Sequence, residues 1–216
     1  FFEVAFFISA VWMAGIIGKN SQAANQIALN LASMTYMVAL GVGVAAMIRV
    51  GNQRGMMNFI KLREVALSTL LLIIIVDILF CFIFLIFNDY LPLLYLDPND
   101  ANNLTDVNEV LQIASKLLII AGVFQLFDGI QAVVLGALRG MQDVNKPAMI
   151  IFLSYGLIGF PTSYFLGFYT SLSIVGIWIG LMTGLFSSSL FLFLRFNYLS
   201  KKTIRPVSYT HLRAHE

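Results

Sequence analysis

The chain reads as long, unbroken apolar runs separated by short polar segments. Apolar and polar positions do not alternate within the runs, so helices fit and the strands of a membrane barrel do not. A helix needs about 20 mostly apolar residues to cross the hydrocarbon core of a bilayer. By that measure the pattern predicts six spanning helices, over residues 1–17, 23–48, 65–87, 110–135, 147–168 and 172–196. Pro147 suits a first helical turn, where its missing N–H is no loss. Pro161 falls inside the fifth span, removes a backbone hydrogen bond and predicts a kink, which reads either as a hinge or as a fixed bend. Segment 52–64 mixes basic and apolar residues and reads equally well as a short interfacial helix or as a basic loop. The acidic stretch 89–109 contains Leu-Pro-Leu-Leu-Tyr-Leu, which suits partial return into the headgroup region. The expected fold class is all-α, a polytopic membrane protein.

Composition agrees. Apolar residues make up 59% of the chain and charged residues 11%, against about 25% charged in a soluble domain. The net charge of +2 is uninformative, but its distribution is not. Arg49, Arg54, Lys61 and Arg63 lie between the second and third spans, Arg139 and Lys146 between the fourth and fifth. Arg195, Lys201, Lys202 and Arg205 lie around and beyond the end of the sixth. The intervening connections hold Lys19, no charge at all, and the acids Asp89, Asp97, Asp100, Asp106 and Glu109. The positive-inside rule then puts the basic loops and the C-terminus in the cytoplasm, in a plasma (inner) membrane. One cysteine, Cys81, excludes an intramolecular disulfide. A phosphate-binding loop, a histidine cluster and a nucleophile–base pair are all missing from the sequence. No enzyme and no cofactor are expected, and transport would be driven by an ion or substrate gradient.

The candidate chemistry lies in polar residues held at membrane depth. A carboxylate there costs about 2.5 kcal/mol or more, so it faces a partner, an ion or a wet cavity. Asp128 is the clearest case, in the run Phe124-Gln-Leu-Phe-Asp-Gly-Ile-Gln131. Gln125, Asp128 and Gln131 follow at three-residue steps and cover adjacent turns of broadly one face. Glu3 and Asp77 are embedded acids too; Asp77 has only apolar neighbours apart from Cys81. On the second span Gln22, Gln26 and Asn30 share one face, Ser33 continues it and Asn25 is offset by about one residue. Such amides either glue helices together or line a substrate path. Gly176, Gly180 and Gly184 form a small-residue ridge that suits close helix packing.

The chain begins without Met inside an apolar run, and a truncated start is expected. Residues 207–216 break the hydrophobic pattern and resemble translated read-through rather than native sequence. They carry both histidines, His211 and His215, so a His-x3-His metal pair is set aside with them and no metal site is expected beyond Na⁺ at the embedded acids.

Four stretches together resemble the C-terminal half of a multidrug and toxic compound extrusion (MATE) transporter. They are Glu3 in Phe-Phe-Glu-Val-Ala-Phe-Phe, Ala23-Ala-Asn-Gln-Ile-Ala-Leu-Asn30, Arg49-Val-Gly-Asn-Gln-Arg-Gly55, and Phe124–Gln131 with Gly136-Ala-Leu-Arg-Gly140. The resemblance covers residues 1–206. It implies one six-helix lobe, helices seven to twelve, of an inverted V-shaped transporter of twelve helices. Such a protein exports organic cations, drugs or metabolites by cation-coupled antiport and alternating access. It assigns cation coupling, by H⁺ or Na⁺, to Asp128 and Glu3. Phe124 stands where some members carry an aromatic hydroxyl, which leaves a proton at least as well suited as Na⁺. Gln125, Gln131, Gln26, Asn30 and Asn25 become candidates for lining the cavity. The expected partners are membrane lipid, the other lobe of the same chain and small organic cations, and not nucleic acid. Two other readings stand beside it. One is a lipid-linked oligosaccharide flippase of the same superfamily, which would need more intramembrane bases than the single Lys116. The other is a structural membrane subunit whose acids only lock the bundle.

Overall fold

A computed structural model describes residues 2–96 and 104–213, all helices and turns with no strand among them. The helices are α1 (Phe2–Ile17), α2 (Lys19–Gly55), α3 (Phe59–Ile86), α4 (Leu104–Gly140), α5 (Asn145–Leu153), α6 (Phe160–Phe168) and α7 (Ile174–Arg213). A 3-10 turn at Leu91–Leu94 follows α3, and a π-helical turn at Ser154–Gly159 joins α5 to α6. Five stretches are long and apolar enough to cross a membrane: α2, α3, α4, the composite α5–α6, and α7 as far as Ile204. Val4–Ile17 is apolar but shorter.

The helices outrun the predicted spans because bilayer depth limits the apolar stretch, not the hydrogen-bonded backbone. At 37 residues, α2 is about 55 Å long at 1.5 Å per residue, well beyond a core of about 30 Å. Segment 52–64 is therefore neither a separate interfacial helix nor a loop. It is the end of α2 and the start of α3, joined by three residues. Met57 makes that turn in the left-handed region, with φ 55°. The Asn58 side chain caps α3 by accepting from the Lys61 backbone N–H at 3.1 Å. The helical assignment of α7 runs on through the stretch first read as a foreign tail, to Arg213.

Proline acts as expected, with its disturbance displaced. Pro161 lies in the first turn of α6, and the irregular turn immediately precedes it. A proline lacks an N–H and crowds the carbonyl four residues back, here Leu157. Widening that turn to a π-helix relieves both problems.

Helix α4 is the axis of the bundle, packed by α2, α3 and α7. Of its apolar stretch 61% is buried, against 22% for α3, whose Leu71, Ile75, Leu79, Phe82 and Ile86 form an exposed apolar flank. That flank suits lipid rather than water. The α2–α4 seam is closed by backbone contact: a Cβ on Gly136 would overlap the Gly43 carbonyl. The ridge on α7 meets α6 and the π-helical turn as its spacing implied. Gly180 lies against the Ser163 backbone and Gly184 against Gly159, while the Ser163 hydroxyl donates to the Ile177 carbonyl at 3.1 Å. Beside this seam Phe6 packs on Tyr155 and Phe124 on Trp178, with centroids 5.0 and 5.9 Å apart.

Polar contacts sort the ends of the bundle into two sets. At one end Arg195 donates to both Asp143 carboxylate oxygens, at 2.5 and 2.9 Å. There too Arg63 donates to Ser200 and Asn197, each at 2.7 Å. At the other, Lys19 pairs with Asp106 at 2.7 Å. The up-and-down order read from the loop charges is thus reproduced by the contacts.

The seam yields a prediction. Gly136→Ala forces two backbones apart and should lower stability by about 1–3 kcal/mol, read as a fall in the thermal unfolding midpoint in detergent. Gly41→Ala, two residues from the seam on open surface, should leave that midpoint unchanged or raise it slightly.

Candidate functional site

Helices α1, α2 and α4 line an open cavity of about 400 Å³, bordered by Val4, Phe7, Gln26, Asn30, Ser33, Tyr36, Phe124 and Asp128 among others. Gln26, Asn30 and Ser33 reach it because their spacing of four and three residues puts them on one face of α2. Phe124 and Asp128 do the same from α4, one turn apart. Asp128 is buried, with 8% of its surface exposed. Gln26 donates to Asn30 across 3.4 Å, a long bond between two exposed amides that leaves both able to turn to a ligand. The cavity therefore combines one carboxylate with amide and hydroxyl oxygens and an aromatic wall. Hard cations take such oxygens. Among the described residues no group of three His, Cys, Asp or Glu side chains could hold a transition metal.

Tyr36 is the residue that sequence reasoning missed. It lines the same cavity as Asp128 and carries an aromatic hydroxyl, which Phe124 lacks. Its spacing from Gln26, Asn30 and Ser33 was the available signal.

Three of the amides do not line this cavity. Asn25 is buried on the opposite flank of α2, where the Trp178 indole N–H donates to its Oδ1 at 2.8 Å. One residue of offset turns a helical side chain by about 100°, which is enough to exchange cavity for core. Gln125 and Gln131 stand about 60° to either side of Asp128 by the same geometry, and both are buried. Gln131 accepts from the Tyr155 hydroxyl at 3.4 Å. The Gln125 amide has no hydrogen-bond partner among the described residues. The polar stripe on α4 is thus split, with one member in the cavity and two in the packing.

The other embedded acids part company as well. Glu3 falls in the first turn of α1, one turn before the cavity residue Phe7, but its side chain lies outside the described residues. Asp77 is 1% exposed and packs on the Cα of Gly129, where α3 meets α4. No donor among the described residues reaches its Oδ2. It belongs to a helix seam, not to the cavity.

The fold defines a polytopic helical membrane protein, and its buried acid Asp128 lines a cavity with amide, hydroxyl and aromatic side chains. A family profile described as MatE matches residues 1–165. A protein named "Probable multidrug resistance protein NorM" from Agrobacterium fabrum (strain C58 / ATCC 33970) is 38% identical over 205 residues, covering 94% of this chain and 43% of its own length. "Multidrug resistance protein NorM" of Burkholderia vietnamiensis is 36% identical over 202 residues, with the same two shares. The crystal structure of the eukaryotic MATE transporter AtDTX14 superimposes with a TM-score of 0.80 at 22% identity, over 95% of this chain and 45% of that one. The chain belongs to the MATE family, which is a family of membrane transporters and not of enzymes. It spans less than half the length of these relatives.

The Asn25 assignment can be checked. Asn25→Ala leaves the buried indole N–H of Trp178 without its acceptor, and the loss of stability should be about 1–3 kcal/mol, seen by thermal unfolding in detergent.

Proposed function

We propose that this chain is the C-terminal lobe of a secondary active transporter, residues 1–206 forming helices seven to twelve. The transporter exports organic cations, drugs or metabolites by cation-coupled antiport. The observation that carries the reading is Asp128, buried at mid-span in a cavity shared with Gln26, Asn30 and Tyr36. The names of the curated relatives, multidrug resistance proteins, support the substrate class. Substrate binds in the cleft between this lobe and its partner lobe. The coupling ion binds at Asp128, assisted by Glu3. It can shift the balance between inward- and outward-open states only by binding one of them more tightly. The basic end of the bundle, with the C-terminus, faces the cytoplasm of a plasma membrane, and the bend before Pro161 serves as the hinge.

Proton and sodium ion make different demands. A proton needs only the carboxylate, in surroundings that disfavour its charged form. Sodium needs several oxygens, and here Tyr36, Asn30 and Gln26 stand within the same cavity. Among the described residues the spans carry no cluster of bases to hold a diphosphate, which weighs against the flippase reading.

The deciding assay is efflux of a fluorescent organic cation from vesicles bearing the full-length gene product, under separate proton and sodium gradients. Asp128→Asn should abolish gradient-driven efflux while expression and thermal stability are kept. Efflux equal to wild type would reduce Asp128 to a packing acid, and a wild type that exports no tested cation would favour the flippase or structural readings. Tyr36→Phe keeps the ring and removes the hydroxyl. It should raise the half-saturating Na⁺ concentration by about tenfold, the loss of one hydrogen-bond-strength contact, and leave a proton-driven reaction unchanged.

A further inference from the structure

Two buried polar side chains outside the cavity belong to the seam between α3 and α4. Asp77 on α3 is 1% exposed and Gln125 on α4 is 3% exposed. Two glycines of α4 mark the seam. A Cβ on Gly122 would press on Phe84 and on the Cys81 carbonyl, and one on Gly129 would overlap Asp77 Oδ2 and Ile73. Gln125 lies between these glycines along α4, turned from them by about 60° and 40°, so it stands on the same side of the helix. No hydrogen-bond partner among the described residues reaches Asp77 Oδ2, and none reaches Gln125 Nε2 or Oε1. The surrounding groups offer Asp77 no counter-charge. On α3 itself Cys81 is one turn away, and Arg63 and Glu64 stand near the start of the helix. On α4 Asp128 adjoins Gly129 but lines the cavity, while Lys116 and Arg139 are about 15 Å or more along the axis from Gly129. On α2 Tyr36 packs on the cluster that holds Ile73, and Arg49 lies beyond it towards the basic end. On α7 Arg195 is held by Asp143 at the basic end.

We propose that Asp77 is a proton-binding site separate from the cavity, and that Gln125 completes it across the α3–α4 seam, directly or through one internal water. An ionised carboxylate there would bury a charge with no base beside it and one oxygen unpaired, which costs far more than burying the neutral acid. The count of donors and acceptors leads to the same form. A carboxylate only accepts, so it leaves Gln125 Oε1 without a donor. The neutral acid supplies an O–H for that oxygen and accepts at its own carbonyl from the amide N–H. Both orphaned groups then find partners, as buried polar groups nearly always do. Loss of the proton creates a charge that only water can solvate, so ionisation loosens α3 from α4. The proton is thus a clasp on the helix whose phase presents Asp128 to the cavity. Asp77 holds it whether or not Asp128 couples transport.

The test uses the full-length protein in detergent. At about pH 6, where exposed carboxyl groups are ionised, a protonated acid shows an infrared C=O stretch apart from those of carboxylates. Subtracting the spectrum of Asp77→Asn from that of wild type should leave one such band. Gln125→Leu should move it to higher frequency, because a hydrogen-bonded carbonyl stretches at lower frequency than a free one. Thermal unfolding gives an independent reading. The native state holds a proton that the unfolded chain releases above about pH 4, the ordinary range of Asp. The unfolded chain then binds fewer protons, so stability falls as pH rises. Asn is neutral at every pH and keeps a donor and an acceptor for Gln125. Between about pH 5 and pH 8 the wild-type midpoint should therefore fall by a few degrees relative to that of Asp77→Asn. No difference band, or a midpoint difference independent of pH, would overturn the proposal. A band that Gln125→Leu leaves in place would overturn the part given to Gln125. If Asp77→Asn fails to fold, the comparison of Gln125→Leu with wild type decides: a displaced acid band upholds the site and an unchanged spectrum overturns it. None of these readings depends on transport, so an Asp128→Asn variant as active as wild type would overturn the coupling role of Asp128 and leave this site standing.

Discussion

The contact between α2 and α4 at Gly43 and Gly136 is the constraint from which the rest follows. In lipid, apolar side chains gain little by leaving their surroundings, so helices associate through close van der Waals packing and a few polar bonds. Two long helices can lie backbone to backbone only where neither carries a side chain. That approach brings α4 to the centre of the bundle and clamps α2 along its flank. Further towards the acidic end the two helices line a space they do not fill, and the cavity between them and α1 begins where larger residues return.

The same packing explains how one acid comes to face a cavity and another does not. Asp77 and Asp128 are both buried. Asp77 is pressed into the notch left by Gly129, in the seam between α3 and α4. Asp128, one residue before Gly129 on α4, is turned from it by about 100° and opens onto the cavity lined by Gln26, Asn30 and Tyr36. Equal burial gives opposite consequences because the helix phase decides what each carboxylate faces. Asn25 and Gln26 repeat the contrast on α2, one holding Trp178 and the other standing in the cavity.

The ends of the bundle differ in kind. The basic end is tied by a two-bond ion pair, Arg195 to Asp143, and by the Arg63 contacts, all partly buried. Partly buried, bidentate pairs of this sort hold their geometry. The acidic end is held by Lys19, Asp106, Asn20 and Glu109, in contacts largely open to solvent.

The six apolar runs, the loop-charge order, the burial of Asp128 within a helix, the shared face of Gln26, Asn30 and Ser33, and the glycine ridge of α7 were all legible in the chain. They depend on local periodicity and on the cost of burying charge, which a sequence carries by itself. Family membership was legible too, because it rests on motif order. Three things only the tertiary structure decided. Helices run past their apolar stretches, because hydrogen bonding continues where hydropathy stops. Asn25, Gln125 and Gln131 turn into the packing, because which side of a polar stripe faces a cavity depends on where neighbouring helices lie. Tyr36 joins Asp128 across nearly a hundred residues of chain, and periodicity within one helix cannot report a meeting between two.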